Sequence, residues 1–477
     1  MKKLTTTYFE ELLEAQNYKE IKELFELYPE IDIAEIVNRT QVDDAKKIIS
    51  IFRVVKSEHT SIFFSELDKE HQEALIKLMS DKDVAELIAA SSNDDITDFI
   101  VDMPANLVNK VLKNTSKEDR TIINKLLNYK EDSAGSIMTT EYLEFLNTTS
   151  IHDSIEKIRE LGKNAETIYT IFVKDSKRNF LGTVDLDDLI FAKPDEKLDD
   201  IMNKDFVTVD VNTDQEAVAE LVRRYDLNAI AVLNDDKRLI GIITVDDIID
   251  VIQKEANEDL SLQAGIVPLE NSYKDTGVFK MAFKCIPWLC FLLVLDVFSS
   301  IALSGFQNQL ATMAVLAAFI PTIMDTGGNA GSQTSSVMVR SIALNEFGPK
   351  DFFKILWKEL RISSIVAIIT SFFAFLWFLA EMYLNLVVYP TNIADLSAGT
   401  IFAERSGIAG LVAITLFFTI LISKLFGCIL PLVAKSIKKD PALMSGPLIT
   451  SIVDVTSILI YFGIFELIGN IFHVFGM

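Results

Sequence analysis

The residue most in need of a chemical reason is Asp454, a carboxylate inside KKDPALMSGPLITSIVDVTSILIY, the otherwise apolar run from Lys438 to Tyr461. An aspartate at the centre of a membrane helix costs about 2.5–3.5 kcal/mol even on insertion scales, so this side chain is expected to face a polar cavity or pathway rather than lipid. Asp440 stands fourteen residues upstream, at the basic end of the same run. On one continuous helix, at about 100° and 1.5 Å per residue, the two acids fall within about 40° of one face and about 21 Å apart, one at mid-depth and one at the mouth. Ser445-Gly446-Pro447 is expected to break up that helix, Thr450 lies one turn below Asp454, and Ser451 and Ser457 flank it. Oxygen donors with little else suit a hard, hydrated cation.

A second stretch could form the opposite wall. Residues 321–336 read PTIMDTGGNAGSQTSS, with three glycines beside Asn329, Ser332, Gln333 and Ser336. Such a segment is a poor lipid-facing helix and a good lining for a wet cavity, because close backbone approach and exposed carbonyls need one. Small-residue helix packing gives the same composition without a pathway; the acid in the neighbouring run favours the pathway. Asp325 and Asp296 are further acids in apolar surroundings, and Asp325, next to the glycines, is the better candidate.

These residues must be carried by membrane helices. The chain has 477 residues, 49% hydrophobic, with a net charge of −23 that is unevenly divided. Residues 278–477 hold 12 Lys and Arg against 11 Asp and Glu, leaving 33 against 57 for residues 1–277. An acidic half joined to a nearly neutral apolar half repels nucleic acid and attracts cations. Five spans are expected, at Phe279–Leu303, Gln309–Arg340, Leu360–Val388, Gly407–Ala434 and Ala442–Phe475. Each is long enough for a hydrocarbon core of about 30 Å. The loop from Arg340 to Arg361 holds five basic residues and the turn before the last span holds Lys435, Lys438 and Lys439. The opposite loops hold only Arg405, which places the acidic half in the cytosol and the C-terminus outside. The start, MKKLTTTYFEELLEAQ, has no cleavable-signal pattern and agrees with that orientation. Cys285, Cys290 and Cys428 show neither zinc-like nor disulfide spacing. No P-loop, nucleophile elbow or metalloprotease pattern suggests an enzyme.

Residues 1–130 carry apolar residues at three- and four-residue spacing, predicting helices at Tyr8–Leu27, Asp32–Val55, Thr60–Met79, Asp81–Ala90, Asp94–Val101, Ala105–Leu112 and Lys117–Leu127. Short helices of this kind pack as a curled stack of pairs, an all-α superhelical N-domain. Residues 131–252 contain a repeat. Ser136-Ile-Met138 matches Asp200-Ile-Met202, and GTVDLDDLI from Gly182 matches GIITVDDII from Gly241, each copy alternating strands with helices. This α/β pair resembles tandem CBS domains. The resemblance implies a ribose contact at Gly241, Thr244 and Asp247, hence a possible ATP site in the second copy; in the first, Asp185 replaces the threonine. Residues 246–276 are expected to form an acidic connecting helix, in which Asp250, Glu255, Glu258 and Asp259 cluster and need a cation or basic partner as offset, leading to a membrane domain at 277–477.

In full the chain resembles the MgtE family of magnesium channels and transporters. The marks are YKEDSAGSIM at Tyr129–Met138, Pro287-Trp288-Leu289, the GGNxGxQ run at Gly327–Gln333, Gly427 with Pro431, and Asp440-Pro-Ala-Leu followed by Gly446-Pro447 and Asp454. The resemblance implies a plasma-membrane homodimer with its pore between subunits. Asp454 would face hydrated Mg2+, Asp440 would lie near the cytosolic end, and Asn329, Ser332, Gln333 and Ser336 would line the adjoining wall. It further implies a plug helix held shut when cytosolic Mg2+ bridges acidic groups, the matching positions being Asp95, Asp214, Glu216, Asp226, Asp247, Asp250, Glu255, Glu258 and Asp259. Phe306-Gln307 departs from the family's usual Phe-Glu, and Ser332 and Ser336 stand where the family varies. A proton-coupled divalent-cation carrier and a membrane-anchored adenylate sensor remain alternatives.

Overall fold

Local chain breaks decide how the first half is divided. The computed structural model describes residues 4–40, 45–101, 103–269, 273, 276–312, 314–384, 398–437, 439–444 and 446–472. Ten short helices open it: α1 (Thr6–Glu14), α2 (Tyr18–Leu27), α3 (Glu30–Asn38), α4 (Ala45–Val54), α5 (Ser57–Ser65), α6 (Lys69–Leu78), α7 (Asp81–Ala90), α8 (Asn93–Val101), α9 (Ala105–Asn114) and α10 (Lys117–Leu126). Three segments expected as single helices are each two. The first breaks at Gln16, which takes a φ of 52°, and restarts with the Asn17 side chain capping α2. The third breaks before Asp68, whose carboxylate accepts the His71 amide at 3.0 Å to start α6. The second is split into α3 and α4, and residues 41–44 between them lie outside the described residues. Helices two apart in sequence pack together, α2 on α4, α3 on α5, α5 on α7 and α7 on α9. Their apolar stripes form one core, with edge-on contacts of Phe25 to Phe63 at 5.4 Å and Phe64 to Phe99 at 5.1 Å.

The repeat folds as two matching sheets. In the first, β1 (Glu144–Leu146) pairs parallel with β2 (Thr170–Lys174), which pairs antiparallel with β3 (Phe180–Asp185). In the second, β4 (Thr208–Asp210), β5 (Ala229–Leu233) and β6 (Leu239–Thr244) repeat that order, and an irregularity recurs at the same place, Val173/Lys174 and Val232/Leu233. Helices α11 (Ile151–Leu161), α12 (Leu186–Phe191), α13 (Leu198–Ile201) and α14 (Gln215–Tyr225) connect them, and α15 (Val245–Gln263) follows. Each copy lends a residue to the other's sheet. Thr139 exchanges both backbone hydrogen bonds with Ile242 of β6, at 2.8 and 3.0 Å, and Asn203 does the same with Thr183 of β3, at 2.8 and 3.2 Å. This exchange explains the repeated Ile-Met and Gly. Met138 fills the space over Gly241, and a Cβ at Gly182 would stand 2.3 Å from the Asn203 carbonyl oxygen. Gly182→Ala is therefore expected to destabilise the repeat by about 1–3 kcal/mol, an overpacking cost. Thermal melting of the detergent-solubilised chain measures it, and an unchanged melting temperature would contradict the close approach. At the start of α15 the Thr244 hydroxyl donates to Asp247 at 2.8 Å, so two of the residues expected to contact a nucleotide already serve the helix end.

The chain separates into two compact units, Met1–Gln253 and Lys254–Met477. The second is built from α16 (Val278–Ser304), α17 (Gln307–Thr312), α18 (Ile320–Ala343), α19 (Phe352–Tyr383), α20 (Ala398–Ser436) and α21 (Gly446–Phe472). Among the described residues four helices are long and apolar enough to cross a membrane: α16, α19, α20 from Arg405, and α21 as far as Ile468. The segment expected to span from Gln309 to Arg340 is instead α17, a 3-10 turn at Ala314–Phe319 and then α18, which is too polar to meet that criterion. The third span begins eight residues earlier than expected, at Phe352, and residues 385–388 and 473–475, assigned to the third and fifth spans, lie outside the described residues. Large apolar side chains face outward along these helices, Leu293 at 70% and Phe372 at 66% exposure, as lipid-facing positions do. Inside, Phe319, Phe378, Leu416, Tyr461 and Phe462 share a core, with Phe306 stacked on Phe462 at 4.6 Å.

Candidate functional site

Two sides of α18 pack against other helices and a third is exposed. Gly327 and Gly331 face α20, where Ser423 donates to the Gly327 carbonyl and a Cβ at Gly427 would lie 2.3 Å from the Gly331 oxygen. Gly328, Ser332 and Ser335 face the start of α21. A Cβ at Gly328 would lie 2.6 Å from the Thr450 methyl, Ser332 donates to the Gly446 carbonyl at 3.3 Å and Ser335 to the Met444 carbonyl at 2.7 Å. The third side carries Asp325, Asn329, Gln333 and Ser336, all exposed. At four-, four- and three-residue spacing they form one polar stripe. Within it the Asn329 amide donates to Asp325 at 3.1 Å, tying one carboxylate oxygen to the same helix face.

Asp454 of α21, half-buried, is an electrostatic neighbour of Asp325 of α18 and of Asp296 of α16. Asp454 thus lies within electrostatic range of carboxylates on two other helices. Asp296 was the less favoured acid in the sequence and belongs with the others; its signal was the same lone charge in an apolar run. Two details differ from expectation. The Thr450 hydroxyl donates to the Pro447 carbonyl at 2.7 Å and its methyl meets Gly328, so it seals the α18–α21 seam rather than facing the polar stripe. Asp440 and Asp454 are not on one helix: Asp440 opens a 3-10 turn at Pro441–Leu443, accepting the Ala442 amide at 2.7 Å, and α21 starts only at Gly446 with Pro447 in its first turn, where a missing N–H costs nothing. Ser445, expected within that break, lies outside the described residues, as does Lys438.

A second acidic group forms around α15. Asp259 is half-buried, and its carboxyl is pushed up to about 6, first by burial and then by the charges of Asp440, Glu255 and Glu258. Four of the expected acids therefore face one another. In the first unit, Asp94 and Asp95 of α8 meet acids of the repeat. Burial and the Asp94, Asp247, Asp246 and Asp95 charges push Glu166 up to about 7. Asp247 rises to about 6 through burial and then Asp246 and Asp94. Glu66 is raised by burial and by Asp250 and Asp95. A cavity of about 670 Å³ opens here, lined by Asp95, Asp119, Glu141 and Glu166 among others. Asp214 and Asp226 do not join. Asp214 caps the start of α14, accepting the Glu216 amide at 3.0 Å, and Asp226 ends it with a φ of 50°, about 16 Å away along an eleven-residue helix. Among the described residues only Asp185, Asp187 and Asp188, all exposed, bring three carboxylates within 4.8 Å of one another. Sequence reasoning passed over Glu359 and Lys424, which meet as a buried pair behind α18 at 3.4 Å. Lys424 was legible as a lone charge in an apolar span, whereas Glu359, between Lys358 and Arg361, was masked by its basic neighbours.

Exposed apolar helices around a group of carboxylates and a polar helix face define a polytopic membrane protein. Comparison with known proteins narrows the class. The family model described as a divalent cation transporter, MgtE, matches residues 320–464, the MgtE intracellular N domain matches residues 28–132, and a CBS domain matches residues 198–254. The magnesium transporter MgtE of Enterococcus faecalis is 30% identical over 472 residues, covering 94% of this chain and 97% of that protein. The magnesium transporter MgtE of Bacillus subtilis is 29% identical over 441 residues, covering 92% and 89%. A crystal structure of the cytosolic domain of the Mg2+ channel MgtE in complex with ATP covers 52% of this chain and 99% of that one, at 28% identity and a TM-score of 0.48. The chain belongs to the MgtE family.

Proposed function

We infer that this chain carries Mg2+ across the membrane along the polar stripe of α18, and that Mg2+ bound to its cytosolic carboxylates closes the route. The observation that supports this most is that Asp454 of α21 lies within electrostatic range of Asp325, in that stripe, and of Asp296 on α16. Magnesium dehydrates reluctantly and keeps several waters, so it needs outward-facing oxygens spaced for a hydrated ion rather than a tight cage. The exposed stripe of Asp325, Asn329, Gln333 and Ser336 fits that need, with Ser332 and Thr450 holding the seam behind it. An exposed stripe at membrane depth also needs a second wall, which a homodimer supplies. In this reading α17, the 3-10 turn and α18 together make the fifth crossing, the N-domain (1–130), the CBS pair (131–252) and the connecting segment (246–276), whose helix α15 ends at Gln263 rather than running to 276, are cytosolic, and the C-terminus of the membrane domain (277–477) lies outside.

Closure follows from charge. Acids raised first by burial and then by mutual repulsion are relieved by a divalent ion, so Mg2+ favours the state in which they stay together. Asp259, Glu258 and Glu255 with Asp440 form one such group, and Asp95, Asp247 and Asp250 with their neighbours a second. Asp214 and Asp226 stand at the two ends of α14, so one ion bound to both is not expected. ATP at Gly241, Thr244 and Asp247 is the finer regulatory proposal, tested by its binding to the full chain with and without Mg2+. The deciding experiment is Mg2+ uptake into proteoliposomes with the internal concentration varied: uptake that falls as internal Mg2+ rises supports the reading, and no uptake at any concentration refutes it. In chelator at pH 8, where Asp247 is charged against its environment, Asp247→Asn is expected to raise the melting temperature by about 2–4 °C. The same change should shrink the further rise on adding MgCl2, and an undiminished rise would remove Asp247 from the regulatory group.

A further inference from the structure

On the side of α18 away from the polar stripe lies a charged cluster that transport as described does not use. Lys424 of α20 and Glu359 of α19 are 6% and 7% exposed, and Thr334 of α18, 3% exposed, joins them. The Lys424 ammonium donates to Thr334 Oγ1 at 2.7 Å, the Thr334 hydroxyl donates to Glu359 Oε1 at 2.9 Å, and the two charges stand 3.4 Å apart. Three helices meet at one hydroxyl. One residue before Lys424, Ser423 holds the Gly327 carbonyl, and three residues after it Gly427 lies against Gly331, so this stretch of α20 presses on the back of α18 along its length.

Stability does not account for the cluster. Taking two charges out of water costs several kcal/mol per ion, and an apolar pair of similar volume often packs as well or better. Registry does account for it: Thr334 reaches both partners at a single rotation of α18, and a one-residue slip would turn the helix by about 100° and swing Asn329 and Gln333 away from the route. Charge balance matters too. Thr334 follows Gln333 directly, so the ammonium lies about one helix diameter, roughly 10 Å, from the polar stripe. A bare positive charge at that range weakens divalent occupancy by a factor of roughly 4 to 250 for effective dielectrics between about 80 and 20.

We propose that Glu359, Lys424 and Thr334 are positioning residues for cation passage: the buried pair pins the rotation of α18, and Glu359 cancels an ammonium that would otherwise repel the passing ion. This rests on the polar stripe of α18 being the route. The test is initial Mg2+ uptake by the full chain in proteoliposomes across a range of external Mg2+. Glu359→Gln strips the ammonium of its partner and should raise the half-saturating Mg2+ at least fourfold. Lys424→Met leaves a carboxyl group that does not repel cations, and should not raise it. The two changes together should restore half-saturation to within about twofold, Lys424→Arg should stay near the unaltered protein, and Thr334→Val should lower maximal uptake without moving half-saturation. Equal losses of maximal uptake in Glu359→Gln and Lys424→Met, with half-saturation unmoved and no recovery in the double variant, would overturn the proposal. If Glu359→Gln does not elute monodisperse, Thr334→Val decides alone, and unaltered uptake there overturns it. Asp454→Asn in parallel separates the two readings. Lost uptake there with symmetric behaviour of the pair removes the pair's role and keeps the route; retained uptake removes both.

Discussion

Asp454→Asn is expected to reduce Mg2+ uptake at least about thirtyfold in proteoliposomes while the protein still elutes as a folded species. A carboxylate about 5 Å from a doubly charged hydrated ion contributes about 2–6 kcal/mol for effective dielectrics between bulk water and a protein surface, and about 2 kcal/mol is already a thirtyfold change in rate. Asparagine keeps the shape and loses the charge, so packing against α18 is preserved. Asp325→Asn and Asp296→Asn should each cost less, since Asp454 alone is half-buried while the other two are exposed and better screened. Uptake by Asp454→Asn at more than half the unaltered level would place the route elsewhere.

Neutralising Asp259 together with Glu258 is expected to leave uptake running at internal Mg2+ that silences the unaltered protein, with the inhibiting concentration raised at least about tenfold, equivalent to about 1.4 kcal/mol of lost closure. The sign of its pH dependence follows from the Asp259 carboxyl, pushed up to about 6 by burial and by Asp440, Glu255 and Glu258. Above that pH the group is ionised and open to a cation; below it a proton occupies the same oxygens. The inhibiting Mg2+ should therefore rise as internal pH falls from 7 to 5, by up to about a decade per unit below 6. In the Asp259→Asn, Glu258→Gln protein that slope should be lost. A slope of equal size in both proteins would assign the titration to another group.

Much of this was legible in the residues because it depended on local cost. A lone acid in an apolar run is costly wherever it sits, so Asp454 and Asp325 could be named without coordinates, and the duplicated Gly and Ile-Met sequences exposed the repeat. What could not be read was where long helices stop. Nothing in the apolar periodicity distinguishes one twenty-residue helix from two of ten, and Gln16 and Asp68 break theirs through a left-handed turn and a side-chain cap. The break between Asp440 and Asp454 was legible, because Gly446-Pro447 marks it and α21 starts at Gly446; the 3-10 turn at Pro441–Leu443 before it was not. Pairings across helices were invisible for a different reason: Glu359 and Lys424 lie far apart in the chain, and only the folded bundle shows that each is the other's counter-charge.

The reciprocal loan of one backbone partner between the two sheets makes their pairing indivisible. A fragment ending after the first copy would leave β3 without Asn203, and one starting at the second would leave β6 without Thr139, each with a raw sheet margin open to a foreign strand. Any excised piece of the repeat should therefore keep residues 138 to 244 whole, and half-length pieces should self-associate through the margins they uncover.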